Sequence, residues 1–297
     1  MVTVLLHGLG ADRRQPLELF GPVVESAASL SGLPVDPVVA PDVRAHGSSP
    51  LIGKPAEFAL DALAREVAAS VSSELAKLPE VPAQAPVTLI GISMGAAIAL
   101  RIAMLELLPV RRAVFVRPAF TGEPLPDHLR AFPVIAELLT RLGPVDGAAA
   151  FRGSSLYQQL NAASPLGGRG LLTQFSTTDA AARAIRLAEI PRNRAYRDPA
   201  TLSALAARGI PSLVVAAPRD PVHPEAVAAE WAAGLGSALQ RVPARDDGQP
   251  AQTDALRAAR THDAPGRDRH PPRRTRGAGS RIQPPRVGGR RRVHHPL

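Results

Sequence analysis

The chain has 297 residues, of which 45% are hydrophobic, so it can bury the core of one large α/β domain or of two small ones. It contains no cysteine, which excludes disulfides, a thiol nucleophile and cysteine-bound metal. The formal net charge is +9, but thirteen arginines and five aspartates lie in residues 245–297. This segment therefore holds +8 of the charge, and the rest of the chain is nearly neutral.

The first ten residues lack the basic stretch that begins a signal peptide. The longest apolar stretch, Val87–Leu108, is interrupted by Arg101 and Glu106, which disfavours a membrane span. We therefore expect a cytoplasmic protein that does not associate with a membrane.

The chain begins with a predicted buried strand that runs into a glycine-rich loop, His7-Gly8-Leu9-Gly10. The two glycines let the backbone turn with its amides exposed, and we expect the amide of Leu9 to donate to an oxyanion. The alternative is an ordinary turn at the end of a strand. His7 could contact the substrate, or it could be buried and orient the loop through hydrogen bonds.

A helix, a short strand and a long helix follow, over Leu17–Leu30, Val35–Asp42 and Ala56–Leu78. The polar loop between the strand and the long helix contains Asp42, Arg44 and His46. These side chains could hold a metal or a phosphate. A loop fixed by pairing of Asp42 with Arg44 is the interpretation that we favour, so we predict no metal site.

The pattern G-x-S-x-G occurs around Ser93, between a β-branched run that ends at Ile90 and a run of helix-forming residues, Ala96–Leu108. A serine on a tight strand-to-helix turn projects its hydroxyl above the sheet, and small neighbours make such a turn possible. The amide of Met94 begins the helix and can donate to an oxyanion. The pattern also occurs by chance, but the flanking strand and helix favour a catalytic serine.

The next predicted strand, Arg111–Pro118, ends at Arg117, at the edge where parallel sheets place their ligands. Arg117 could bind a substrate carboxylate or form an ion pair. Residues 118–188 then interrupt the strand pattern with predicted helices and glycine-rich segments. We expect this insertion to form a helical cap that supplies most of the substrate pocket.

A clear buried strand, Ser212–Ala217, precedes Asp220. Asp220 could merely cap the predicted helix Pro224–Leu235. An acid at this edge of the sheet, downstream of such a serine, is also where the acid of a catalytic triad belongs. Ala238–Ala244 is the last predicted strand.

In this order, four segments resemble motifs of the α/β-hydrolase fold family: His7–Gly10, the D-x-R-x-H-G-x-S segment Asp42–Ser48, Gly91–Gly95 and Arg219–Pro224. The resemblance covers Val2 to about Ala244. It implies an α/β fold with a mostly parallel central sheet flanked by helices. Residues 1–117 and 189–244 would form the core, and residues 118–188 the cap. It also implies Ser93 as nucleophile, Asp220 as acid, and the amides of Leu9 and Met94 as oxyanion hole.

The family also needs a histidine after its last strand, and the corresponding segment, Arg245–Pro250, contains none. Without an imidazole to take its proton, a serine hydroxyl is a weak nucleophile. His262 fits the order Ser, Asp, His but lies in the C-terminal segment. His223 is the alternative candidate, but it lies three residues beyond Asp220, which we consider too close in sequence for alignment by that carboxylate, so we expect it to line the pocket. His270, His294 and His295 are more remote.

Residues 245–297 are rich in arginine, proline and glycine and have little apolar periodicity, which predicts a disordered tail. The closing helix that the family would have here begins at Thr253–Ala259, but its pattern does not continue beyond Ala259. A frameshift in a GC-rich gene would explain both this composition and the missing histidine. The arginines could bind a polyanion. We do not expect nucleic acid binding, because the segment has no aromatic residue for base stacking.

Together these features predict a serine hydrolase that acts on a small ester-like carboxylic substrate and needs no cofactor or metal. One alternative is a hydrolase scaffold that lacks its triad histidine and does not catalyse a reaction. Another is a polyanion-binding protein that acts through its tail. The cap contains no motif that identifies the substrate.

Overall fold

A computed structural model describes residues 1–32, 34–82 and 84–259 of the chain. Within them, six strands form one sheet in the order β2-β1-β3-β4-β5-β6, and every neighbouring pair is parallel. The strands are β1 (Val2–Leu6), β2 (Val38–Val39), β3 (Val87–Ile92), β4 (Val110–Val116), β5 (Ser212–Ala216) and β6 (Ala238–Arg241). The predicted α/β class is confirmed.

Ten α-helices accompany the sheet in the described ranges. They are α1 (Arg14–Ser31), α2 (Leu60–Leu75), α3 (Met94–Met104), α4 (Ala131–Gly153), α5 (Ser155–Ala163), α6 (Pro165–Leu172), α7 (Ile185–Glu189), α8 (Ala200–Ala207), α9 (Glu225–Leu235) and α10 (Gln249–Ala259). None of them, in this part of the chain, combines the length and hydrophobicity that crossing a membrane requires.

The sheet is covered on both faces, which explains why its central strands are continuously apolar. Every residue of β3 is buried. Successive residues of a strand face opposite sides, and accordingly Val4 and Leu5 of β1 belong to different apolar clusters. The cluster around Val4 includes residues of α2, α3 and α9, whereas the cluster around Leu5 includes residues of α1 and α10.

The segment between β4 and β5 contains α4 to α8. Its glycine-rich parts are helical, since Gly147 and Gly167 lie inside α4 and α6. Helix α4 is kinked at Gly143, whose φ is 73°. Serine N-caps set the starts of the following helices, as at α6, where the Ser164 hydroxyl oxygen accepts from the Gly167 N–H.

This helical insertion contacts loops that follow four strands at one edge of the sheet. Gln174 lies against Gly10, in the loop after β1, and Arg186 Nη1 donates to Ala45 O at 3.1 Å, in the loop after β2. Gly167 lies beside Pro221, in the loop after β5. The Leu166 N–H donates to Asp246 Oδ1 at 2.9 Å, in the segment after β6. The insertion therefore lies over the edge at which the parallel strands end.

The prediction that residues 245–297 form a disordered tail is wrong for residues 245–259, where the helix start recognised at Thr253–Ala259 belongs to a longer helix. Arg245–Asp247 form a 3₁₀ turn, and α10 follows. Leu256 joins the same apolar cluster as Phe20 of α1, and Arg257 donates to the Leu19 carbonyl at 3.2 Å. A helix in this position buries apolar surface that the average composition of the segment concealed. The remainder of the predicted tail, residues 260–297, lies outside the described residues.

Candidate functional site

Ser93 stands on the turn between β3 and α3. Its φ and ψ are 53° and −110°, a strained conformation for a residue with a side chain. Two glycines make the turn possible, since a Cβ on Gly91 would overlap the Gly95 carbonyl and a Cβ on Gly95 would overlap the Leu6 carbonyl. The serine is 8% exposed, and its hydroxyl lies above the end of β3.

His223 contacts both Ser93 and Asp220. Its Nε2 is 2.9 Å from Ser93 Oγ, and its Nδ1 is 3.0 Å from Asp220 Oδ2. The expectation that His223 is too close in sequence to be aligned by Asp220 is therefore wrong. The intervening residues form a tight turn, in which Asp220 Oδ1 accepts from the N–H groups of Val222 and His223 at 3.0 and 3.1 Å. Such a turn brings residues i and i+3 together, so the short spacing favours the contact.

The electrostatic environment keeps Asp220 ionised and His223 neutral. Burial opposes ionisation of Asp220, but His223, Arg117 and Arg245 outweigh it and hold the pKa of this carboxyl well below its usual range. Burial lowers the pKa of His223, although Asp220 acts in the opposite direction. With its Nδ1 hydrogen donated to the carboxylate, the neutral ring presents an unprotonated Nε2 to the serine hydroxyl.

Arg117, which was considered for substrate binding, lies against the acid instead. Its Nη1 is 3.4 Å from Asp220 Oδ2, and the residue is only 7% exposed. The φ of Arg117 is 46°, and its N–H donates to Val215 O at 2.7 Å. The arrangement agrees with the ion-pair alternative and makes Arg117 part of the support for Asp220.

His7, the other residue considered for substrate binding, is fully buried. Its Nδ1 is 2.9 Å from Gly8 O, and its Nε2 is 3.1 Å from the Val43 N–H. The Nδ1 tautomer satisfies both contacts, because Nδ1 then donates and Nε2 accepts. His7 thus joins the loop after β1 to the loop after β2, which is the orienting role given above as its alternative.

The expected pair of Asp42 with Arg44 does not form. Asp42 accepts from the backbone N–H groups of Arg13 and Ser48, both at 2.8 Å, while Arg44 Nη2 pairs with Glu66 at 2.6 Å. The loop is nevertheless fixed by its own polar contacts. No group of three or more potential metal-ligating side chains is found in residues 1–32, 34–82 and 84–259.

The two amides predicted to hold an oxyanion are those of Leu9 and Met94. Met94 is the first residue of α3, immediately after Ser93, so its N–H is one of the unpaired donors of a helix N-terminus. The loop that carries Leu9 adjoins the serine, since a Cβ on Gly8 would lie 3.6 Å from Ser93 Cβ. In the described part of the chain, neither of these two N–H groups has a protein acceptor.

The histidine given first in the sequence prediction, His262, lies outside the described residues, as do His270, His294 and His295. The sequence contained a signal for the one that contacts Ser93: Asp220-Pro221-Val222-His223 combines an acid, a proline and a histidine at turn spacing. Gln174, which packs on Gly10, was not predicted at all, and no local pattern marks it.

A family model described as the alpha/beta hydrolase family matches residues 3–278 of the chain. The match extends beyond Ala244, where the resemblance of the motifs ends. No protein of curated function shows significant similarity to the sequence.

Among solved structures, the chain is similar to an enol-lactonase from Burkholderia xenovorans LB400, with 19% identity, a TM-score of 0.58 and coverage of 88% of this chain and 91% of that one. It is also similar to a thermophilic esterase from Thermogutta terrifontis, with 18% identity, a TM-score of 0.57 and coverage of 87% of this chain and 88% of that one. A hydrolase from Pseudomonas aeruginosa PA01 has 19% identity and a TM-score of 0.55, with coverage of 88% of this chain and 90% of that one. These likenesses show a shared fold.

Proposed function

Because the chain belongs to the alpha/beta hydrolase family, we propose that it is a serine hydrolase with Ser93, His223 and Asp220 as its catalytic triad. One observation carries the proposal: the imidazole of His223 lies between the hydroxyl and the carboxylate, 2.9 Å from Ser93 Oγ and 3.0 Å from Asp220 Oδ2. An imidazole in this position can accept the serine proton while the carboxylate stabilises the resulting imidazolium. His262 is not needed for this arrangement.

The reaction is acyl transfer to water. Ser93 Oγ attacks the substrate carbonyl carbon as its proton moves to His223 Nε2, and the tetrahedral intermediate then expels the alkoxide or thiolate, which takes that proton. A water molecule next attacks the acyl-serine carbonyl and gives its proton to His223 Nε2. Return of the proton to Ser93 Oγ releases the carboxylic acid and restores the enzyme.

The amides of Leu9 and Met94 are the proposed donors to the tetrahedral oxyanion. Their free N–H groups and the adjacency of the Gly8 backbone to Ser93 support this assignment. Donors fixed in the backbone need no reorganisation when negative charge develops on the carbonyl oxygen, which is why they favour the transition state.

The helical insertion is the proposed cap, and a small ester-like molecule is the proposed substrate. The contacts of the insertion with Gly10, Ala45 and Pro221 support its role as a cap, because these residues lie in or beside the loops that carry the proposed triad and the oxyanion amides. Neither of the two cavities in the insertion, of about 540 and 820 Å³, is lined by Ser93 or His223.

Covalent labelling by a fluorophosphonate tests the triad directly. We expect the full chain to be labelled at Ser93 and the Ser93→Ala variant not to be labelled. His223→Gln should slow labelling by about 10⁴-fold or more, the scale on which loss of a triad base acts. His262→Gln is the matched control and should label at the rate of the unmodified chain.

Two results would contradict the proposal. Loss of labelling in His262→Gln with retention in His223→Gln would assign the base to the C-terminal segment. Absence of labelling in the folded, unmodified chain would favour the non-catalytic scaffold over the enzyme.

A further inference from the structure

The side chain of Arg186 is buried between the insertion and the loop that follows β2. It is 2% exposed, and its Nη1 donates to the carbonyls of Ala45 and Arg183, both at 3.1 Å. Its Nη2 donates to Thr177 Oγ1 at 3.2 Å. All three acceptors are neutral, and the buried Nε has no hydrogen-bond partner among the residues that the structure describes. The positive charge of this guanidinium is therefore not balanced by any of its hydrogen-bond partners.

A second arginine lies one helical turn before it. Within the described ranges, the buried Nε and Nη1 atoms of Arg183 have no hydrogen-bond partner. The carboxylate of Asp179 lies 4.0 Å from Nε, and the Asp179 side chain is 64% exposed. Burial, and then the charge of Arg183, lower the pKa of Arg186 to about 10. The two arginines thus form a buried site with an excess of positive charge.

Burial of an uncompensated charge is strongly unfavourable, and buried arginines in folded proteins are normally paired with an anion. Unpaired N–H groups on a planar guanidinium match the two oxygens of a carboxylate. Thr177, which holds Arg186 Nη2, also lines the cavity of about 820 Å³ in the insertion. The same threonine donates to the backbone carbonyl of Gln174. The Gln174 side chain lies against Gly10, in the loop that carries Leu9.

We propose that Arg186 and Arg183 form a subsite for a carboxylate of the substrate. This inference rests on the proposed function, since the carboxylate is a second acidic group on the molecule whose ester is hydrolysed. The substrate class is therefore a half-ester or half-thioester of a dicarboxylic acid. Its free carboxylate binds at the two arginines, and its esterified carbonyl reaches Ser93.

Paired substrates measure this preference in the full chain. The p-nitrophenyl half-esters of succinic, glutaric and adipic acid are compared with the corresponding neutral p-nitrophenyl methyl diesters. We expect at least one half-ester to be preferred over its neutral partner by 10-fold or more in kcat/KM. Arg183→Gln and Arg186→Gln should each reduce the preference, measured as the ratio of the two kcat/KM values, by 10-fold or more. Arg197→Gln, at an exposed arginine, is the matched control and should retain the preference.

Equal kcat/KM values within every pair would overturn the subsite, as would a preference that persists in Arg183→Gln. If Arg186→Gln fails to fold, Arg183→Gln decides the question, because Arg186 contacts Arg183 through its backbone carbonyl, which this substitution keeps. Calorimetry in the Ser93→Ala variant measures dicarboxylate binding without catalysis, so it distinguishes failure of the arginine subsite from failure of the proposed triad. Glutarate, succinate or adipate binding that Arg183→Gln abolishes supports the subsite even if Ser93 is never labelled. Labelling of Ser93 without such binding refutes the subsite alone.

Discussion

Gly95 provides a sharp test of how the serine turn is built. It lies in the first turn of α3, and a Cβ there would lie 2.7 Å from the Leu6 carbonyl carbon and 2.8 Å from the His7 carbonyl oxygen. Both neighbours are backbone atoms, so no side-chain rotation relieves the overlap. Gly153, the last residue of α4, is the matched control, because a Cβ there would meet no atom within 4 Å.

Helix propensity alone predicts that alanine stabilises at both positions, by roughly 0.5–1 kcal/mol. Gly153→Ala should show this gain. In Gly95→Ala the gain is opposed by overpacking, which costs about 1–3 kcal/mol and here belongs at the upper end because backbone must move. The net expectation is a loss of about 2 kcal/mol, so the two variants should differ in sign.

Urea unfolding followed by circular dichroism measures both free energies, and the fluorophosphonate reaction measures the site. Displacement of α3 from β1 would shift Ser93 relative to the loop that carries Leu9. A misplacement of about 1 Å costs on the order of 100-fold in rate, so labelling of Gly95→Ala should fall by that factor while Gly153→Ala reacts normally. Equal stabilisation of the two variants would refute the packing argument.

Three further predictions follow from the site and its surroundings. Burial lowers the pKa of His223 from 6.5, so the folded state holds this proton less tightly than the unfolded state, and both stability and kcat/KM should fall as pH drops below that value. A kcat/KM midpoint above pH 6.5 would contradict this. Arg117→Met removes a cation that lowers the pKa of His223, so its acidic limb should move to higher pH, and an unchanged profile would exclude the electrostatic role. Trp231 Nε1 donates to the buried Phe120 carbonyl at 2.9 Å, and Trp231→Phe removes this donor. The free energy of unfolding in urea should fall by about 1–3 kcal/mol. A loss below about 0.5 kcal/mol would show that this hydrogen bond does not stabilise the fold.

The parts of the fold that the sequence predicts well are those with a local cause. The strand before Ser93, the glycines around it and the helix after it are adjacent in the chain, so their pattern indicates the turn directly. The acid segment after β5 is predictable for the same reason. By contrast, Arg186 contacts Ala45 across 141 residues of sequence, and no periodicity in a single sequence indicates such a pair.

Two predictions were wrong because the local backbone geometry was underestimated. His223 was set aside because a spacing of three residues was considered too short for alignment by Asp220, although a turn from Asp220 brings the two side chains together. Residues 249–259 were assigned to a disordered tail from the composition of a long segment, although the start of a helix was recognised at Thr253–Ala259. The spacing of Leu256 and Ala259, three residues apart on one face of a helix, indicates the face that packs on Phe20 of α1.

In the proposed triad, the base and its acid share one turn, so the contact between them and their position relative to Ser93 depend on different parts of the structure. The contact between His223 and Asp220 is fixed locally, through the two N–H groups donated to Asp220 Oδ1. The position of that turn relative to Ser93 depends on the sheet, where the Ser93 N–H donates to Val116 O at 2.9 Å and the Arg117 N–H to Val215 O at 2.7 Å. Neither requirement involves a histidine after β6. The segment after β6 can therefore hold the insertion instead, as Asp246 does through the Ser164 hydroxyl and the Leu166 N–H, without contributing an atom to the proposed proton transfer.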